Sequence, residues 1–364
     1  MRIVIAVHHF PPRYTGGAEW RAYRTAAALQ ARGHDVRVVC VEWIDAGPDS
    51  GVAWEDDVYE GIAVRRLSFN LTAAPDPVRW EYDNPWIGEH LREFFRGHCP
   101  DILHLIGGYL MGAGTILAAH EVGLPTVATL TDFWFLCPRV TLLRSDGRIC
   151  INAAARDCVR CLAEEKRRYR WPARVIPRLM DYLWDSPLAE RQHGSMDLAA
   201  IECRRQVLVE ALGHLRWAIC PSEFLRGIYL QAGVPANRLI YSRQGLALSG
   251  DVLPKSSSNA LRIGYLGQLV EHKGVHLLIE AFKRLDSRAR PVTLTMYGDP
   301  ARFPKYVKRL RKMADNHPSI RFAGPYAHQD LGLVLRELDV VVVPSIWYEN
   351  SPNAILEAFA HQTP

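Results

Sequence analysis

Short apolar runs alternate with longer segments of helical period along the whole chain. The run Val340-Val341-Val342-Val343 has no polar position on either face, the pattern of a parallel strand covered on both sides. Beyond it, Ser351 and Pro352 read as N-cap and first residue of a helix whose apolar positions recur to residue 360. The chain starts similarly, with a strand over 3–7, a proline-broken loop, Gly16-Gly17, a helical period over 18–32 closed by Gly33, and a strand over 36–41. Strand, glycine loop, helix and strand make a βαβ unit, so the sheet is expected to be parallel. Strands over 63–69, 102–105, 126–130, 217–220 and 238–242 continue the pattern, with helices over 86–97, 111–122, 196–215 (amphipathic) and 221–233. Glycine, proline, serine and asparagine then crowd residues 246–260, a linker composition. A second series follows, with strands over 262–266, 292–297 and 320–323 and helices over 275–284, 304–315 and 329–335, and leads into the valine run. The expected architecture is α/β, with two Rossmann-like domains at 1–245 and 261–364 joined by the linker. Residues 137–215 break the alternation and read as an insertion in the first domain.

With 364 residues, 48% of them hydrophobic, the chain can bury two cores. The net charge of +5 suits an anionic substrate or an anionic membrane surface and is too weak to predict nucleic-acid binding. The apolar start is too short for a signal peptide, and no apolar run approaches the roughly 18 residues of a membrane span. Eight cysteines without a secretory signal point to a reducing compartment, so a cytoplasmic location is expected.

The chemistry concentrates near the valine run. A helix opened by Ser351-Pro352 aims the unsatisfied N–H groups of Asn353 and Ala354 outward, a ready phosphate site. Glu349 precedes that start and Glu357 lies about one and a half turns inside it. Two acceptor-only carboxylates beside a phosphate site suit a ligand carrying both phosphates and hydroxyls, such as a sugar nucleotide. The plainer reading is a solvated helix residue and a loop charge. Three further stretches sit in the expected loops at strand carboxyl ends, where α/β sheets bind ligands. Gly16-Gly17 would let backbone approach a diphosphate, Lys273 could reach the same group, and Thr131-Asp132 follows the strand over 126–130. Each also has a structural reading, as a turn, a surface lysine and a turn cap.

In the insertion, Cys137, Cys150, Cys158 and Cys161 are spaced C-x12-C-x7-C-x2-C. Four thiolates at this spacing can bind structural zinc, and the hairpin signal Asp146-Gly147 would gather them; a redox pair or unliganded thiols remain alternatives. A basic and aromatic cluster follows, Lys166-Arg167-Arg168-Tyr169-Arg170-Trp171 with Arg174 and Arg178. It suits either anionic headgroups, an acceptor phosphate or a plain solvated helix.

An ordered set of motifs resembles the retaining glycosyltransferases of glycosyltransferase family 4. They are Gly16-Gly17-Ala18-Glu19 with the helix ending Ala31-Arg32-Gly33-His34, Asp132-Phe133-Trp134-Phe135-Leu136-Cys137-Pro138, Pro221-Ser222-Glu223-Phe224, Gly267-Gln268-Leu269 with Lys273-Gly274, Tyr297-Gly298-Asp299, and Glu349-Asn350-Ser351-Pro352 through Glu357. The last looks like the family's E-x7-E motif. The resemblance implies a GT-B fold, two domains facing a cleft, and transfer of a sugar from a nucleotide-diphosphate sugar in polysaccharide or glycolipid assembly, with retention. It places Lys273 at the diphosphate, Glu357 at the ribose hydroxyls, Glu349 at the donor sugar, and Gln268, Asn350, Ser351 and Asn353 around the sugar and phosphates. Gly16 and Gly17 would complete the phosphate site, Asp132 would face the acceptor, and no divalent cation would be needed for the chemistry.

Three departures qualify this. Gln268 stands where the family often has arginine, Thr131 where many members have histidine, and the sequence stops at Pro364, where one or two further βα units are expected. A sugar-nucleotide epimerase of the same architecture and a non-catalytic sugar-nucleotide binder are the competing expectations.

Overall fold

The computed structural model describes residues 1–150, 154–186, 196–246, 252–285 and 290–364. It divides into two compact units, Met1–Arg243 and Gln244–Pro364. Residues 247–251 of the expected linker, and 151–153 and 187–195 of the insertion, lie outside the described residues.

The first unit is built on an eight-stranded sheet. Its strands are β1 (Arg2–Val7), β2 (Asp35–Trp43), β3 (Ala53–Tyr59), β4 (Ile62–Ser68), β5 (Ile102–Ile106), β6 (Thr126–Thr129), β7 (Trp217–Cys220) and β8 (Leu239–Tyr241), in the spatial order β3-β4-β2-β1-β5-β6-β7-β8. All pairs are parallel except β3 with β4. The central strands are apolar on both faces because helices cover both sides. Ile3, Ile5 and Val7 pack with Ala22 and Ala26 of the helix Gly17–Gln30. Fully burying a side chain of that size contributes roughly 1.5–3 kcal/mol. Strand β3 is absent from the sequence-based expectation, because its residues are exposed and no alternation marks it. Its partner holds it through charge: Arg65 makes a two-pronged contact to Asp56 at 2.8 and 2.9 Å.

The second unit has a four-stranded parallel sheet of β9 (Leu261–Leu266), β10 (Val292–Tyr297), β11 (Ile320–Gly324) and β12 (Val340–Val341), ordered β11-β10-β9-β12. One face packs on the helices Val275–Lys283 and Pro304–Ala314 through Ile279, Phe282 and Leu310. The other face meets Leu335 and Ala358 of the helices Leu331–Arg336 and Asn353–Ala360. The valine run departs from expectation. Only Val340 and Val341 form strand, and all four valines are half-buried, because β12 lies at the edge of the sheet. The described linker residues are also tied down: Lys255 Nζ donates to the carbonyls of Leu335 and Leu338 at 2.7 and 2.9 Å.

The insertion carries the helices Ala155–Ala163, Arg167–Val175, Pro177–Asp185 and Leu198–Gly213. Val159, Leu162, Met180, Trp184, Met196 and Ile201 form a small core of their own. The expected long amphipathic helix over 196–215 starts later, at Leu198, with Asp197 as N-cap accepting from Ala200 N–H at 2.8 Å. Its buried stripe contains an arginine, Arg204, that no apolar period would predict.

Candidate active site

In each unit the direction of strand order reverses at one point, and ligands of open α/β sheets bind outside the carboxyl ends there. In the second unit this point lies between β9 and β12. The loop after β9 carries Gln268 and Lys273, and the loop after β12 carries Ser345, Trp347 and Glu349. The two loops interlock. Gly274 has φ 69°, and a Cβ there would lie 1.9 Å from the carbonyl oxygen of Pro344, so only glycine allows this approach. Ile346 N–H donates to the His272 carbonyl at 3.0 Å.

That interlock presses Lys273 against Glu349. Lys273 Nζ stands 2.6 Å from Glu349 Oε1, and the same oxygen accepts from Ser345 Oγ at 2.5 Å and Trp347 Nε1 at 2.9 Å. Burial pushes the Glu349 carboxyl up, but Lys273 and these two donors prevail and hold it below the usual carboxylate range. Among the described residues, every hydrogen bond to Glu349 falls on Oε1. The lysine ammonium also lies 4.9 Å from the Trp347 ring centre. Ser345 and Trp347 escaped the sequence reading, although their spacing from Glu349, every second residue, was a usable signal.

The helix start differs by one residue from expectation. Ser351 has φ 107° and turns the chain, so Pro352, with φ −66° and ψ 125°, takes the cap position and Asn353 begins the helix. No side chain caps this start. Ile355 N–H reaches the Pro352 carbonyl at 3.2 Å, leaving the N–H groups of Asn353 and Ala354 as the outward-facing pair. Asn353 Oδ1 accepts from Gln244 Nε2. Asn350 and Glu357 are buried, each 7% exposed, which excludes the solvated-helix reading of Glu357. Gln268 is half-buried, and its carbonyl accepts from the Tyr265 hydroxyl at 2.6 Å.

In the first unit the reversal lies between β1 and β5. His8 follows β1, Gly107 follows β5, and Thr131 and Asp132 follow β6. A Cβ on Gly107, which has φ 76°, would lie 3.2 Å from Thr131 Oγ1 and 3.8 Å from His8 Nδ1, so these groups meet at one edge. His8 Nε2 lies 3.6 Å from Glu19 Oε1. Gly16 caps the helix Gly17–Gln30, and the buried Glu19 carboxylate fills the space a Cβ on Gly16 would take, at 2.5 Å. His8 and Glu19 were not among the expected site residues; a histidine directly after a buried strand and an acid in a first helical turn were the available signals. Asp132 accepts from Trp134 N–H at 2.8 Å and Thr131 Oγ1 at 3.1 Å. Burial raises its carboxyl, and those two donors only partly offset the effect.

Cys137, Cys150, Cys158 and Cys161 are all unpaired thiols lining one small cavity. Among the described residues no three histidine, cysteine or acidic side chains are already spaced around a single ion.

Comparison with known proteins fits this geometry. The family model described as glycosyl transferase 4-like domain matches residues 16–242, and that for glycosyl transferases group 1 matches 260–364. A glycogen synthase of Mycobacterium tuberculosis is 25% identical over the whole of this chain and 77% of its own length. A GDP-mannose-dependent alpha-mannosyltransferase of Corynebacterium glutamicum is 23% identical, over the whole of this chain and 71% of its own. Anabaena HepE, solved in complex with UDP, has a TM-score of 0.62 at 16% identity, covering all of this chain and 79% of that one. The first family model alone spans well over half of the sequence, and the chain therefore belongs to the glycosyl transferase 4-like family, enzymes of glycosyl transfer with the GT-B fold.

Proposed function

We propose that the protein moves a hexosyl group from a nucleotide-diphosphate sugar to a glycan or lipid-linked acceptor in polysaccharide or glycolipid assembly, with retention of configuration. The observation that carries this reading is the Lys273–Glu349 pair, locked by Ser345 and Trp347 beside an uncapped helix start with Glu357 buried inside it. As the glycosidic bond breaks, negative charge grows on the departing diphosphate. Lys273 and the N–H groups of Asn353 and Ala354 stabilise that charge without a divalent cation. Glu349 uses Oε1 to position Lys273 and keeps Oε2 for a sugar hydroxyl, while Glu357 takes the ribose hydroxyls. In the first unit, Asp132 orients the acceptor.

Isothermal titration with UDP-, GDP- and ADP-sugars tests this. One donor should bind, Glu357→Ala should abolish its binding, and turnover should persist in magnesium-free buffer. Absence of binding by all three would sink the proposal. Conversion of donor without acceptor would indicate an epimerase, and binding without turnover across an acceptor panel would indicate a sugar-nucleotide binder.

The acceptor side has its own support in the insertion. The helices Arg167–Val175 and Pro177–Asp185 expose Trp171, Val175, Ile176, Leu179 and Tyr182, flanked by Lys166, Arg167, Arg168, Arg170, Arg174 and Arg178. An apolar ridge between cations matches an anionic lipid surface, with rings and aliphatic chains entering the headgroup layer. No helix among the described residues is long and apolar enough to cross a membrane, so the contact proposed is peripheral. Sedimentation with phosphatidylglycerol vesicles should exceed that with phosphatidylcholine vesicles and fall in the Trp171→Ala, Leu179→Ala double variant. Equal sedimentation with both vesicle types would refute the membrane reading and leave the transferase reading standing.

A further inference from the structure

We propose that Cys137, Cys150, Cys158 and Cys161 hold one structural zinc ion that fastens the insertion to the carboxyl edge of the first sheet. The four thiols come from three separate pieces of chain. Cys137 ends the segment that begins at Asp132, and its N–H donates to the Phe133 carbonyl at 2.8 Å. Cys150 closes a hairpin in which Leu143 and Ile149 pair antiparallel around the turn at Gly147, and its N–H donates to the Leu142 carbonyl at 2.7 Å. Cys158 and Cys161 lie three residues apart on the helix Ala155–Ala163, a spacing that puts both on one helix face. All four line a single cavity of about 20 Å³, with Arg139, Arg144 and Asp157 also at its wall. Space for one water-sized particle is also space for one ion.

Two of the four sulfurs face a guanidinium group. Arg205 Nη2 donates to Cys158 Sγ at 3.3 Å, and Arg139 Nη1 to Cys161 Sγ at 3.6 Å. Zinc bound by four thiolates carries a net charge of about −2, and outer-shell donors to the ligands are a usual part of such sites. Two guanidinium groups on two of the sulfurs supply that compensation. Closing the shell requires the side chains to turn into the cavity, since no three of them are yet spaced around one ion. Thiolates favour zinc over hard cations such as magnesium or calcium, and a closed four-sulfur shell leaves no position for a reacting group. The ion is therefore structural, and the inference stands whatever the transferase does. Among the described residues, the cluster around Val159, Leu162, Met180 and Trp184 is small, and a small apolar core commonly depends on such a staple.

The test uses the full chain purified from zinc-supplemented cells. Elemental analysis should find one zinc per chain, and replacement by cobalt(II) should give the absorption bands of tetrahedral thiolate coordination. Cys158→Ser with Cys161→Ser should lose the metal, and Cys150→Ser should lower its retention against a chelator. Because those variants could simply fold poorly, the wild-type chain supplies an independent readout: zinc removal should make four thiols newly reactive and lower its melting temperature. Fewer than about one zinc per ten chains would overturn the proposal, as would disulfides among these cysteines or full zinc retention in the double variant.

Discussion

At the scale of single residues, the strongest arrangement is one carboxylate oxygen shared by an ammonium, a hydroxyl and an indole N–H. Lys273 and Glu349 are mostly buried, with side chains 22% and 17% exposed, so removing one partner strands a charge. Lys273→Met is expected to cost about 3 kcal/mol, read as a lower urea midpoint at unchanged slope. The pH dependence has a definite sign. The folded carboxyl of Glu349 titrates below its unfolded value, so its contribution is fully present above about pH 5. It disappears as pH falls through the folded value. The stability gap between wild type and Glu349→Gln should therefore narrow on acidification, and a gap that stays constant from pH 7 to pH 3 would contradict the pairing. Neither Ser345 nor Trp347 was foreseen, because their every-second-residue spacing from Glu349 becomes a contact only once the folded path of the loop turns both donors onto one oxygen.

At the scale of elements, the segment after β6 is held by helices far away in the chain. The Tyr229 hydroxyl donates to the Asp132 carbonyl at 3.1 Å, and Arg204 Nη2 donates to the Trp134 carbonyl at 2.5 Å. Arg204 also lies over the Trp134 and Tyr82 rings at 4.8 and 5.6 Å, and burial lowers its pKa to about 10, still well above neutrality. These contacts explain why a helix of the insertion buries an arginine. Tyr229→Phe keeps the packing and removes one buried donor, so a loss of about 1–2 kcal/mol in unfolding free energy is expected. Donor affinity should hold while kcat falls, because only the Asp132 segment is loosened. Unchanged stability would show that the carbonyl finds another partner.

At the scale of the whole molecule, a net charge of +5 is modest, yet six cations gather within residues 166–178, alongside exposed rings and aliphatic chains. If that ridge meets anionic lipid, its attraction falls as the screening length shrinks from about 8 Å at 0.15 M salt to about 3 Å at 1 M. Vesicle binding should drop steeply over that range, with the apolar contribution persisting. Binding insensitive to salt would argue against headgroup recognition.

Sequence alone determined the α/β class, the parallel βα order and the family, and it singled out Lys273, Glu349 and Glu357 as candidates for a donor site. Buried parallel strands and helix signals are local, and Gly274, Lys273, Glu349 and Glu357 sit in or beside them. Tertiary structure alone decided the rest. The strand Ala53–Tyr59 exists because Arg65 and its neighbours offer it a partner, not because its own pattern demands one. The valine run is an edge strand because of where β9 lies, and Ser351 turns the chain where Pro352 then caps the helix. Only the valine run's partner, β9, lies far along the chain. Ala53–Tyr59 pairs with the next strand and was missed because its exposed residues carry no hydrophobic period. The turn at Ser351 shows only in its backbone angle.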